Sequence, residues 1–207
     1  MKKLWLMAIA FILVGQAKAQ SKVPSFGIKA GLNFSNIIKT DDSNFTTNYN
    51  TGFNAGVFLN LPVVDRLSFQ PELMFSQKGY KSNRTGILGD GTLTQTTNWI
   101  EIPILADIEA AKGFNIYLGP QVSFLTKTVN KYDGTFSSSQ QTTYEDDANK
   151  FKKSILGGIL GIGVDLNSKL SLNGRYALDF QKNNTDGTTS TPAFKNQVWQ
   201  VGLGFKF

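Results

Sequence analysis

The sequence predicts an all-β fold: an eight-stranded antiparallel up-and-down transmembrane β-barrel with short periplasmic turns and long external loops. Three observations predict it. The stretch NQVWQVGLGFKF (196–207) sets Trp199, Val201, Leu203, Phe205 and Phe207 against Val198, Gln200, Gly202, Gly204 and Lys206, the period of two that belongs to a strand. Seven further stretches alternate in the same way. The connections between them alternate too, about three to five residues and then about 14 to 28, as periplasmic turns and external loops of a barrel do.

In chain order, residues 1–19 are expected to be a signal peptide. Lys2 and Lys3 precede the apolar run Leu4 to Val14, and Ala17-Lys18-Ala19 offers a small-x-small cleavage site. The run is too short to span a bilayer as a helix. No Cys follows the site, so no lipoprotein anchor is expected. Residues 20–207 then form one outer-membrane barrel domain. Losing Lys2, Lys3 and Lys18 leaves 18 basic against 15 acidic residues, net +3 in place of +6, a balance that does not point to nucleic acid.

The first strand is expected at about 26–35, with Phe26, Ile28, Ala30, Leu32 and Phe34 on its apolar face, and the second at about 52–61. The turn Pro62-Val63-Val64-Asp65-Arg66 leads into the third, where Leu67, Phe69, Pro71, Leu73 and Phe75 oppose Ser68, Gln70, Glu72, Met74, Ser76 and Lys78. The fourth, about 96–108, sets Ile100, Ile102, Ile104, Ala106 and Ile108 against Glu101, Pro103, Leu105 and Asp107. The fifth begins at Phe114 and runs to about Phe124. The sixth spans about 154–166 and alternates less cleanly. Asn167-Ser168-Lys169 turns tightly into the seventh, about 170–180, and the C-terminal stretch is the eighth.

Period alone leaves two orientations open. With apolar residues turned inward the chain would be a soluble periplasmic lipocalin-like barrel binding an apolar small ligand, and that is the alternative. Three features favour lipid outside. The polar face is built from Gly, Ser, Asn and Gln with a few charges, as in a narrow filled lumen. Backbone groups in lipid must all be paired, and a closed ring of eight strands does that. Aromatics sit near many strand ends, and Phe26, Trp99, Phe114, Tyr176, Trp199 and Phe207 are the candidate interfacial girdle. Within the lumen, Lys29, Glu72, Glu101, Arg175 and Lys206 are the candidate ion-pair network, because an unpaired charge there is costly.

FQPELMFSQKGYK (69–81), IEIPILADI (100–108), LGPQVSFL (118–125), GGILGIGVDL (157–166) and the ending VGLGFKF resemble the PorT-like outer-membrane β-barrel proteins of Bacteroidetes. The resemblance covers nearly the whole chain beyond residue 19. It implies a barrel in the cell envelope and specifies no activity.

The chain has no His and no Cys, which removes His-based triads, Cys nucleophiles and the usual zinc sites. Glu72 and Glu101 could serve as paired catalytic carboxylates, but a structural ion-pair role is the stronger reading. Asp41-Asp42 and Glu145-Asp146-Asp147 lack organised calcium-loop spacing. The glycines of 157–163 lie within a strand, so no phosphate loop is expected. No enzyme and no cofactor is expected. The expected partners are outer-membrane lipid and lipopolysaccharide, which Lys150, Lys152 and Lys153 could meet through lipid phosphates. The barrel-assembly machinery, engaged by the C-terminal strand, and an envelope protein are further expected partners. A monomer in the outer membrane, working through its external loops as a binding, adhesion or complex-forming surface, is the functional expectation.

Overall fold

The computed structural model describes residues 23–39, 46–86, 89–135, 138–144, 154–183 and 194–207. Among these the chain forms nine strands: β1 (Ser25–Lys39), β2 (Asn48–Val64), β3 (Leu67–Gly86), β4 (Gly89–Ala111), β5 (Phe114–Gly134), β6 (Ser138–Tyr144), β7 (Ser154–Asp165), β8 (Leu170–Asp179) and β9 (Phe194–Lys206). From β1 to β6 each strand pairs antiparallel with the next, β5 also pairs with β7, β7 with β8 and β8 with β9. β1 pairs with β9 from Gly27↔Lys206 to Lys39↔Phe194, which closes the ring. Closure leaves no open edge along the wall, the condition for a sheet in hydrocarbon.

Nine strands fill eight wall positions. The lower part of β5 pairs with β7 from Phe114↔Val164 to Phe124↔Ser154. Its upper part pairs with β6 from Lys127↔Tyr144 to Asp133↔Ser138. So β6 and β7 occupy one position in succession. The expected sixth strand is β7, whereas β6 falls where a loop was expected.

The long connections are therefore shorter than their sequence suggested. β3 and β4 stay paired out to Gly86↔Gly89, well past the expected ends of both strands. Ser138–Tyr144 and Thr92 to Thr97 are rich in Thr and free of Pro, so nothing stops a pleated ribbon from continuing into solvent. Turns at the other end are short. Asp65-Arg66, Lys112-Gly113 and residues 166–169 join β2 to β3, β4 to β5 and β7 to β8.

Neighbouring residues show which face is out. Leu73 is 51% exposed and Glu72 4%, and Leu160 is 57% exposed beside Ile159 at 3%. The apolar row faces outward all around the ring, where lipid covers it, and the polar row fills the lumen. An apolar-lined interior is not what this chain builds, so the soluble lipocalin-like alternative does not describe it. The lumen also holds apolar layers: Leu105, Tyr117, Ile159, Ala177 and Val198 near its middle, and Ile37, Tyr80 and Phe194 toward the loop end.

Candidate functional site: the filled lumen

Three strands meet at Glu72. Its side chain is fully buried on β3 and accepts from Lys29 Nζ of β1 at 2.7 Å. Arg175 of β8 reaches it from across the barrel with two parallel bonds, Nη1 to Oε2 and Nη2 to Oε1, both 2.7 Å. Gln70 Nε2 adds a fourth donor at 2.7 Å. The bidentate fork is the strongest carboxylate geometry available to a side chain. Two cations against one anion leave an excess positive charge. Aromatic faces meet it, with Lys29 Nζ 4.7 Å from the Phe58 ring centre and Arg175 Cζ 5.3 Å from that of Tyr117.

Room for these long side chains comes from glycine. A Cβ on Gly161 would lie 2.8 Å from Arg175 Cγ, and one on Gly163 would lie 2.6 Å from the Tyr117 hydroxyl. The Gly-rich β7 is the wall that the arginine and the tyrosine lean against.

A second cluster lies closer to the loop end and has the opposite charge. Lys78 Nζ sits 2.6 Å from Glu101 Oε1 and 3.4 Å from Asp179 Oδ1. Glu101 also accepts from Gln121 at 3.1 Å and Ser123 at 3.3 Å, and Asp179 from Asn196 at 2.8 Å. The Trp99 ring covers the ammonium at 5.3 Å, and the indole N–H donates to Thr97 Oγ1 at 2.8 Å. Together the two clusters pair three cations with three anions, each cluster offsetting the other's residual charge.

The structure thus divides the candidate network. Lys29, Glu72 and Arg175 come together. Glu101 belongs to the separate cluster with Lys78 and Asp179, two residues whose place on the polar face was legible but whose pairing was not. Lys206 joins neither: it lies at the short-turn end, 4.0 Å from Asp165 and nearly a third exposed.

Of the girdle candidates, Phe26 and Phe207 stack on the outer surface at 4.7 Å, and Tyr176 packs on Trp199 at 4.7 Å, again outside. Phe114 is also on the outer face. Trp99 is not a girdle residue. It is 1% exposed inside the lumen, because it shares the parity of Glu101 rather than that of Ile100.

A model of the family described as outer membrane protein beta-barrel domain matches residues 18–184. Among solved structures, Ail, the attachment invasion locus protein of Yersinia pestis, is similar with a TM-score of 0.52 at 14% identity, over 90% of this chain and 100% of that one. A complex of Ail with the heparin analogue sucrose octasulfate gives 0.50 at 12% identity, with the same coverage. Neisserial surface protein A gives 0.51 at 17% identity, again over 90% and 100%. No curated protein sequence matches. Identities this low carry the fold and nothing finer, and the family match covers most of the chain. The chain belongs to the outer membrane protein beta-barrel domain family.

Proposed function

We propose that this outer-membrane barrel is a non-catalytic, non-conducting monomer that presents its extracellular ribbon and loops as a binding surface. The observation that carries the reading is the plugged lumen: ion clusters and apolar layers fill it from the Glu72 cluster toward the loop end, so the polar cavity at the short-turn mouth leads to no channel through the barrel. At the loop end β3, β4, β5 and β6 project as a four-stranded ribbon continuous with the wall. The absence of His and Cys, and the engagement of Glu72 and Glu101 in ion pairs, support a non-enzymatic role.

Lipopolysaccharide is the first partner in this reading. Lys81 and Lys131 both stand opposite Thr94 of β4, and Lys195 pairs beside Ile38, all toward the loop end. Ammonium groups at that height gain about a kcal/mol each against an anionic headgroup layer. Ail, which shares the fold, was solved with a polyanionic heparin analogue, a ligand of the same charge. The finer identity in this reading is a PorT-like barrel of Bacteroidetes, exported by the signal peptide at 1–19 and inserted by the barrel-assembly machinery through β9, with an envelope protein as a further partner. Residues 1–19, Asp41-Asp42, Glu145-Asp146-Asp147 and Lys150, Lys152 and Lys153 lie outside the described residues.

Reconstitution in planar bilayers and binding to lipopolysaccharide test the reading together. The expected result is no steady conductance, and binding that depends on the lipid phosphates and weakens when Lys81, Lys131 and Lys195 become Ala. Ohmic conductance, or binding indifferent to phosphate and to those lysines, would overturn it.

A further inference from the structure

Above β7 the wall has a free edge. β6 pairs with β5 from Lys127↔Tyr144 to Asp133↔Ser138 and stands last in the sheet order. β7, which continues the same wall position below it, starts at Ser154, and β8 stops at Asp179. Among the described residues no strand pairs with the far side of β6. Ser138, Ser139, Gln140, Gln141 and Thr142 are all exposed.

Successive residues of a strand turn their N–H and C=O groups to opposite sides. Half of the backbone groups of β6 are spent on β5, and the rest form a row of donors and acceptors along the free edge. What complements such a row is the backbone of another extended chain. β5 keeps the template regular, because its ladder with β6 has no register shift, unlike those of β2 with β3 and β4 with β5.

Edges that face solvent are ordinarily blunted by Pro, by charge, especially Lys, or by a bulge. β6 has none of these. Its sequence, SSQQTTY, is uncharged and free of Pro and Gly. The lysines of the ribbon stand elsewhere, Lys81 on β3 and Lys131 on β5. A second copy of the chain suits this edge poorly. Barrels inserted the same way into one bilayer present β6 running in the same direction, so two copies would meet in parallel. A separate polypeptide is free to form the antiparallel ladder, the more stable of the two per residue.

We propose that β6 is a docking edge for an extended segment of another protein, which adds to the ribbon as an antiparallel strand through backbone hydrogen bonds. The proposal rests on the reading of the ribbon as a binding surface, and it names the class of partner and the mode of contact.

The probe is a short blocked peptide of alternating Thr and Val, with a Lys at each end for solubility. It is added to the full-length barrel folded in detergent, and hydrogen exchange of the β6 amides is followed by NMR. In the free barrel, alternate β6 amides should exchange fast while those bonded to β5 stay slow. Peptide at about ten times its dissociation constant should slow the fast set about tenfold, because the free fraction falls by that factor. The same peptide methylated at every backbone nitrogen should change nothing.

Fast-set amides that are slow without peptide mean that the chain covers its own edge, and overturn the proposal. So do unchanged exchange with peptide present, equal protection by the methylated peptide, or protection that rises with barrel concentration alone, which marks a second copy as the occupant. Lipopolysaccharide binding measured on the same sample keeps the two readings apart. A barrel that binds the lipid through Lys81, Lys131 and Lys195 yet ignores the peptide refutes the docking edge and leaves the binding surface standing.

Discussion

Glu72 shows how much a single side chain holds in this lumen. Both of its oxygens are engaged, by Lys29, Gln70 and Arg175. Changing Glu72 to Ala leaves two cations buried without their anion, and breaking a buried pair in this way costs about 3–5 kcal/mol. Urea unfolding of the barrel in lipid vesicles should show a loss of that size. Lys206→Ala, removing a partly exposed charge 4.0 Å from its partner, should cost less than about 1 kcal/mol in the same assay. Gly113 is a second sensitive point. Its φ of +73° lies in the left-handed region, and a Cβ there would meet nothing closer than 3.7 Å. Gly113→Ala should therefore lose about 1 kcal/mol through backbone conformation alone, without a clash. That Glu72 and Arg175 lie in the lumen was legible, because alternation assigns a face. That charges on the polar face would pair, Glu72 with Lys29 and Arg175 among them, was an expectation from the cost of a lone buried charge. That Glu101 turns to Lys78 was not legible, because strand period does not say which charges meet across the ring.

Elements were legible in their order and their faces, and less so in their lengths. Each of the eight expected stretches is present, and every outward-facing row from Phe26 to Phe205 has the predicted parity. The outer ends were misread because Thr-, Ser- and Asn-rich sequence looks like loop by composition, yet it pairs well once a hairpin is already in register. One local device also defeats simple counting. Asn98 pairs with Lys127 and Trp99 with Leu125, so Thr126 is an extra residue in β5, and its hydroxyl donates to the Asn98 carbonyl at 3.0 Å. A bulge of this kind reverses the parity above it, which is why Leu125 and Thr128 both face inward. Trp99 was placed by its aromatic character near a strand end, where its parity with Glu101 should have decided. The ribbon lies beyond the lipid-covered band, so trimming its tip should leave the barrel intact. Replacing residues 84–91 by a two-residue Asn-Gly turn is expected to change stability by less than about 1 kcal/mol and to leave the fast-migrating unheated band in place, as read by refolding yield and gel mobility.

At the scale of the whole molecule, one alternating pattern does two jobs. It gives lipid an apolar surface and gives the lumen a set of polar groups that must satisfy one another because bulk water is excluded. Eight wall positions make a lumen narrow enough for side chains to fill. The claim on which the rest depends is that the apolar rows face lipid. The chain has no cysteine, so single Cys residues can carry a fluorophore without background. The decisive measurement places one at Leu160, one at Leu203 and one at Ser138 of the ribbon, in barrels folded into vesicles. Nitroxide on the lipid acyl chains should quench the probes at 160 and 203 and spare the one at 138, while aqueous iodide should do the reverse. Probes at 160 and 203 that lipid nitroxide does not reach, in a protein that stays in the aqueous phase, would contradict the account and turn the barrel inside out.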